Sequence, residues 1–168
     1  MNQPEDWQKK LIDESLYLRG RIIASYSQIE FLLADISVKL DLKFPYLIKD
    51  RIKAAKRIGE REQFAKYKAQ LDKVCDELLE FDDIRNFLSH GFLTLHVDRV
   101  GKHQFEYRMY QRTDGSFTLM GGTTTIERLR TAAEDMTAYV EQSVELFKRI
   151  YDEQKVEPVN PRETGQCP

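Results

Sequence analysis

The amino-acid sequence predicts a mainly α fold, an up-down helical bundle with a small three-stranded antiparallel β insertion before the last helix. Three observations carry this expectation. Apolar residues recur at a helical period over three long stretches, the period falls to 2 only between about residues 92 and 121, and proline, glycine and Asp-Gly breakers stand between the stretches. The chain has 168 residues, 41% hydrophobic and 32% charged, which suits one compact domain over 1–155 with a flexible tail at 156–168.

The first helix is expected from Asp6 to about Leu40, where Leu18, Ile22, Ile29, Leu33, Ile36 and Leu40 form a stripe beside Tyr26. The stretch from Asp41 to Pro45 breaks it, because proline lacks a backbone donor and disfavours helix at the residue before it. A second helix is expected from about Tyr46 to Ile58, stopped near Gly59. Phe64, Leu71, Val74, Leu78, Phe81, Ile84 and Leu88 then keep helical spacing, which predicts one helix from about Arg61 to Gly91, with Gly91 as its C-cap.

After Gly91 the alternation of Leu93, Leu95 and Val97 with polar residues predicts a strand, and Phe105, Tyr107 and Met109 predict a second. Thr113-Asp114-Gly115-Ser116 turns the chain into a third, from Phe117 to Met120. Thr124-Thr125-Ile126-Glu127 has the spacing of a capping box in which Thr124 is the cap. From Ile126, apolar residues at helical spacing predict a last helix to about Glu153.

Composition narrows the function classes. Lysine and arginine total 26 against 28 aspartates and glutamates, so the net charge of −2 argues against coating of nucleic acid by bulk attraction and leaves room only for a local basic face. The two cysteines, Cys75 and Cys167, make no disulfide framework or metal-ligand spacing, and the residues after Met1 are polar, so the expectation is a reduced, cytoplasmic protein. No apolar run approaches the roughly 18 residues needed to cross a bilayer, so no membrane partner is expected. No glycine-rich phosphate loop or metal-binding spacing appears, and neither a cofactor nor a metal is expected. His96 and His103 fall in predicted strands without an i, i+4 ligand partner, and both read as structural or exposed.

The chemistry concentrates in Arg85-Asn86-Phe87-Leu88-Ser89-His90. On a wheel of about 100° per residue with Arg85 at zero, Ser89 lies near 40°, Asn86 near 100° and His90 near 140°, a single polar arc. Phe81, Ile84, Phe87, Leu88 and Phe92 fall on the opposite, apolar side, which a helix turns to a core. Leu78 and Leu79 fall near 20° and 120°, so they extend apolar surface onto the motif's face and predict a covering partner. Asp82 and Asp83 precede the motif and read first as ordinary solvated acids, with ion pairing to Arg85 as the lesser alternative. Asn86 is placed to orient the imidazole of His90 or to hold a phosphate. Between Lys49 and Lys68, eight basic residues stand against three acidic ones, and Arg51, Lys53 and Arg57 are the candidate RNA contacts there.

The R-x4-H spacing of Arg85 and His90, with a polar Asn86 after the arginine on a long penultimate helix, resembles the HEPN superfamily of helical domains. The resemblance covers roughly residues 6–155. It implies a homodimer whose motif helices face each other across a two-fold axis. In its active form it implies a metal-independent endoribonuclease that cleaves RNA by attack of the 2′-hydroxyl at a composite interface site. In that setting Arg85, Asn86 and His90 are catalytic, Ser89 and Glu30 supporting, with Glu30 an acid of the first helix that holds Arg85. The associated roles are toxin or defence effector, with an antitoxin or another regulatory protein as a further partner. The alternative is a catalytically inactive HEPN-like module that binds RNA, a nucleotide or a protein. Some members carry a modifiable tyrosine two residues after the histidine; here that position is Phe92, which has no hydroxyl.

Overall fold

The computed structural model describes residues 6–40, 45 and 47–156, so the tail expected at 156–168 lies outside the described residues except for Val156. The protein is mainly helical. Helix α1 spans Asp6–Lys39, α2 Ile48–Lys56, α3 Lys68–His90 and α4 Ile126–Gln154, and strands β1 Phe92–Val97, β2 His103–Thr113 and β3 Ser116–Thr124 stand between α3 and α4. The strands form an antiparallel meander in the order β1-β2-β3. The contacts group into two compact units, one built from 6–27 with 80–140 and the other from 28–79 with 141–156.

In the first unit, Leu18 and Ile22 of α1, Leu88 of α3, Phe105 of β2 and Ile126, Leu129 and Ala133 of α4 make a buried cluster, with Ile84, Leu93 and Leu95 packed against it. Burying side chains of this size contributes about 1.5–3 kcal/mol each. Leu93, Leu95 and Phe105 all point to one face of the sheet, as the period of 2 requires, while the other face is part-buried around Thr94 and His96 and exposed at Phe92, Tyr110 and Phe117. Phe87 of α3 packs against Tyr107 of β2 in a tilted contact with ring centroids 5.1 Å apart. Phe81 meets Tyr139 at 5.5 Å. Four of the five residues assigned to the apolar side of α3 therefore pack inward. Phe92 does not: it begins β1 and is exposed, because the helix ends before its wheel position applies.

Two local details connect sequence to these elements. An added Cβ at Gly91 would lie 2.4 Å from the Phe87 carbonyl oxygen, so only glycine lets the chain leave α3 directly into β1. Gly91 follows the last residue of α3, where the C-cap is expected, and its amide donates to the Phe87 carbonyl at 2.8 Å, though not with the positive φ of Gly101 and Gly115. Asp114 and Gly115 have φ of 49° and 85°, the left-handed pair of a two-residue hairpin turn, and Thr113 pairs with Ser116 across it.

In the second unit the buried residues include Ile29, Leu33 and Ile36 of α1, Ile52 and Ala55 of α2, Phe64, Leu71, Cys75 and Leu78, and Phe147 and Ile150 of α4. The expected helix from Arg61 to Gly91 is shorter here. Residues Arg57–Glu60 and Glu62–Tyr67 are 3-10 turns, separated by Arg61 in an extended conformation (φ −75°, ψ 136°), which interrupts the helical hydrogen-bond ladder. The cap of α4 is displaced by one residue: Thr125, not Thr124, accepts from the Arg128 amide through its hydroxyl at 3.3 Å. Leu78 is fully buried and Leu79 part-buried within one copy of the chain, so Leu78 needs no partner to cover it. No helix among the described residues is long and apolar enough to cross a membrane.

Candidate functional site

Arg85 lies in the last two turns of α3, with its side chain only 20% exposed. A guanidinium so nearly covered needs specific partners, and the structure supplies three in the first unit. Its Nη2 lies 3.6 Å from Asp82 Oδ1, one turn earlier on the same helix. Its Nη1 donates to Asn86 Oδ1 at 3.0 Å. Its planar head lies over the ring of Tyr26, 4.6 Å from the centroid, an arrangement that suits arginine because its charge is delocalised and weakly hydrated.

Tyr26 itself is 0% exposed, and its hydroxyl donates to Asp82 Oδ1 at 3.0 Å. Burial pushes the phenol well above its usual range, and the neighbouring Asp82 carboxylate adds to the effect. One carboxylate oxygen thus receives the tyrosine proton donor and faces the arginine. Of the two sequence readings of Asp82, the ion pair with Arg85 is the one observed, and the side chain is only 14% exposed rather than solvated. The reason is long-range: the first helix runs antiparallel to the end of α3, as Tyr26 meeting Asp82 and Arg19 meeting Ser89 require. Arg19 donates from Nη2 to the Ser89 carbonyl oxygen at 3.3 Å, meeting one of the last-turn carbonyls that a helix leaves without an internal donor.

The remaining residues of the motif are placed as follows. His90 ends α3, is exposed, and has no hydrogen-bond or ion-pair partner among the described residues. It lies five residues from Arg85, about 7.5 Å further along the helix axis. The Asn86 oxygen serves Arg85 instead of orienting the imidazole. Ser89 is part-buried and contributes its backbone carbonyl. Glu30 belongs to the second unit, where its carboxylate meets Arg51 Nη1 at 3.4 Å. Tyr26 was assigned to the core stripe from its spacing, and nothing local in the sequence marks it or Arg19 as neighbours of the motif.

The basic stretch is largely answered by acids. Arg51 pairs with Glu30 and donates from Nε to the Pro45 carbonyl at 2.8 Å, Lys53 pairs with Asp50, Lys56 with Asp76, Lys66 with Glu153 and Lys68 with Asp72. Arg57 is exposed and has no ion pair among the described residues. The local excess of positive charge counted along the chain is therefore much smaller in space. His103 meets Trp7 in a tilted ring contact with centroids 4.3 Å apart, while His96 is part-buried in β1. No group of three or more histidine, cysteine, aspartate or glutamate side chains gathers among the described residues as a metal ion would use.

No family model matches the chain, and no curated protein or solved structure matches it.

Proposed function

We propose that the protein is a HEPN-like, metal-independent endoribonuclease, active as a homodimer and suited to a toxin or defence role. The observation that carries this reading is the contrast along the end of α3. Arg85 is held by Asp82, Asn86 and the face of Tyr26, whereas His90, five residues on, is exposed and has no partner among the described residues. A fixed guanidinium suits a phosphate that gains negative charge. An uncommitted imidazole suits proton transfer near neutral pH.

In this chemistry the 2′-oxygen of a ribose forms a bond to the adjacent phosphorus while the bond from phosphorus to the 5′-oxygen breaks. One imidazole takes the 2′ proton, and the leaving 5′-oxygen needs a proton from an acid. A single histidine does not serve both roles in one step, so a second copy of the chain supplies the second His90. Homodimerisation is thus part of the proposal. An antitoxin or other regulator would act by covering that seam.

A second reading, a catalytically inactive module that binds RNA, a nucleotide or a protein, draws on the same guanidinium. Its charge already faces Asp82, and its Nη1 is spent on Asn86, as in an arginine with a structural duty. One experiment separates the two. Purified protein is incubated with mixed RNA in excess chelator, beside His90→Ala, and the product ends are mapped. The ribonuclease reading expects 2′,3′-cyclic phosphate ends from the wild type alone. No cleavage of any RNA, or equal cleavage by His90→Ala, would turn the assignment to the binding module. Sedimentation at micromolar concentration tests the dimer, which fails if only the 19.8 kDa species is seen.

A further inference from the structure

The face of the sheet opposite Leu93, Leu95 and Phe105 carries side chains that the chemistry at His90 does not use. Cross-strand pairing fixes which residues share that face: Phe92 is opposite Arg108, Tyr110 opposite Leu119, and Arg112 opposite Phe117. Because side chains alternate along a strand and paired residues point the same way, all six project together. Phe92, Tyr110 and Phe117 are 70%, 70% and 72% exposed. The opposite face, which includes Phe105, is packed into the core.

The three rings stand on three different strands, each two residues further along the sheet than the last. With a rise of about 3.4 Å per residue and strands about 4.8 Å apart, successive rings are about 8 Å apart along a diagonal. The diagonal begins at Phe92, two residues after His90. Arg112 stands two residues from Tyr110, directly opposite Phe117, is exposed, and has no ion pair among the described residues. Glu106 shares this face, but its carboxylate is occupied by a bidentate contact from Arg108 at 2.8 and 2.9 Å, so it offers little repulsion to an anion.

We propose that this face is a stacking track for single-stranded RNA, leading bases next to the cleaved bond across Phe92, Tyr110 and Phe117 while Arg112 meets a phosphate. The proposal rests on the ribonuclease reading for its position beside His90, but binding along the track does not need cleavage. Exposed rings interleaved with an arginine match the alternation of base and phosphate in a single strand. The step of about 8 Å is more than twice the 3.4 Å rise per base of a stacked strand. Bases must therefore be splayed apart to meet successive rings, which a duplex does not allow.

The test uses the full chain carrying His90→Ala, so that RNA survives, with a fluorescein-labelled oligoadenylate read by anisotropy. Tyr110→Ala and Phe117→Ala should each raise Kd about 5- to 150-fold, with Tyr110→Phe close to the parent. Arg112→Ala should reduce the slope of log Kd against log salt by about one. The same strand annealed to oligouridylate should bind far more weakly. Circular dichroism melting should be unchanged, since all these side chains are exposed.

Equal affinity of parent and ring variants, equal binding of duplex and single strand, or no binding by the parent each overturns the track. So does a change in sedimentation on ring removal with no change in RNA affinity, which assigns the face to self-association. Failure of the ribonuclease reading looks different: the wild type cleaves nothing while the ring variants still lose binding. If the wild type cleaves and the ring variants cleave with unchanged KM, the track alone falls.

Discussion

Tyr26→Phe is the sharpest probe of the Arg85 setting, because it removes one oxygen and keeps the ring on which the guanidinium rests. The lost hydroxyl donates to Asp82 at 3.0 Å from a fully buried tyrosine, and the Asp82 side chain is itself 14% exposed. A hydrogen bond to a charged acceptor contributes about 1.5–3 kcal/mol, and the carboxylate left behind lacks a donor that water cannot readily replace. A loss of about 2 kcal/mol is expected, or about 4–8 °C in Tm for a chain of this size. Tyr26→Ala should cost more, about 3–5 kcal/mol, since it also opens a cavity under the guanidinium.

The pH dependence gives an independent check. Burial raises the folded-state phenol well above its ordinary value of about 10. The folded protein therefore holds the proton where the unfolded chain releases it. Its contribution is complete below about pH 10 and is lost as pH rises further toward the folded value. Urea denaturation of wild type and Tyr26→Phe between pH 7 and about 11 should show a gap of about 2 kcal/mol that is constant at first and narrows above about pH 10. A variant as stable as wild type at pH 7, or a gap that widens in alkali, would refute the buried hydrogen bond.

On the proposed ribonuclease reading, His90→Ala should reduce RNA cleavage by roughly 10²–10⁴-fold with the fold intact, measured as initial rate on a labelled RNA, the usual contribution of general acid-base catalysis. Arg85→Lys should also be impaired in that assay, because the ammonium keeps the charge but neither stacks on Tyr26 as a plane nor presents a bidentate fork. Phe105→Ala should destabilise the first unit by about 3–5 kcal/mol in urea, since Phe105 is buried in its apolar cluster. Burial pushes the Cys75 thiol up to about 12, so in a Cys167→Ser background maleimide at pH 8 should label the native protein only as fast as it opens, and labelling should become rapid in urea.

The long helices and the meander were legible because each carries a period that only one backbone geometry satisfies. The stripe of Leu18, Ile22, Ile29, Leu33 and Ile36 marks the C-terminal part of α1, and Asp114-Gly115 supplies the two left-handed residues a tight hairpin needs. The 3-10 turns from Arg57 to Tyr67 were not legible. Apolar spacing at Ile58 and Phe64 says that a segment is buried, and says little about which carbonyl each amide meets. At the candidate site the arc of Arg85, Asn86 and His90 could be drawn from α3 alone. Its setting could not, because Tyr26 is 56 residues from Asp82 and Arg19 is 70 residues from Ser89. A wheel assigns a tyrosine to the core by its ring and is silent on where its hydroxyl ends.

The antiparallel tie between Tyr26 and Asp82 also sets when the site comes into being during synthesis. A nascent chain holds the first helix long before the ribosome has made residues 82–90. The guanidinium of Arg85 therefore has no stacking ring or shared carboxylate until a loop of more than fifty residues has closed. Loop closure of that length is set by chain entropy rather than by local propensity. A truncated product ending before α3 carries neither Arg85 nor His90, and one beginning after α1 carries both without the surface that fixes the arginine. Partial products of this chain, from an interrupted message or a proteolytic cut, are thereby kept from assembling the arrangement on their own.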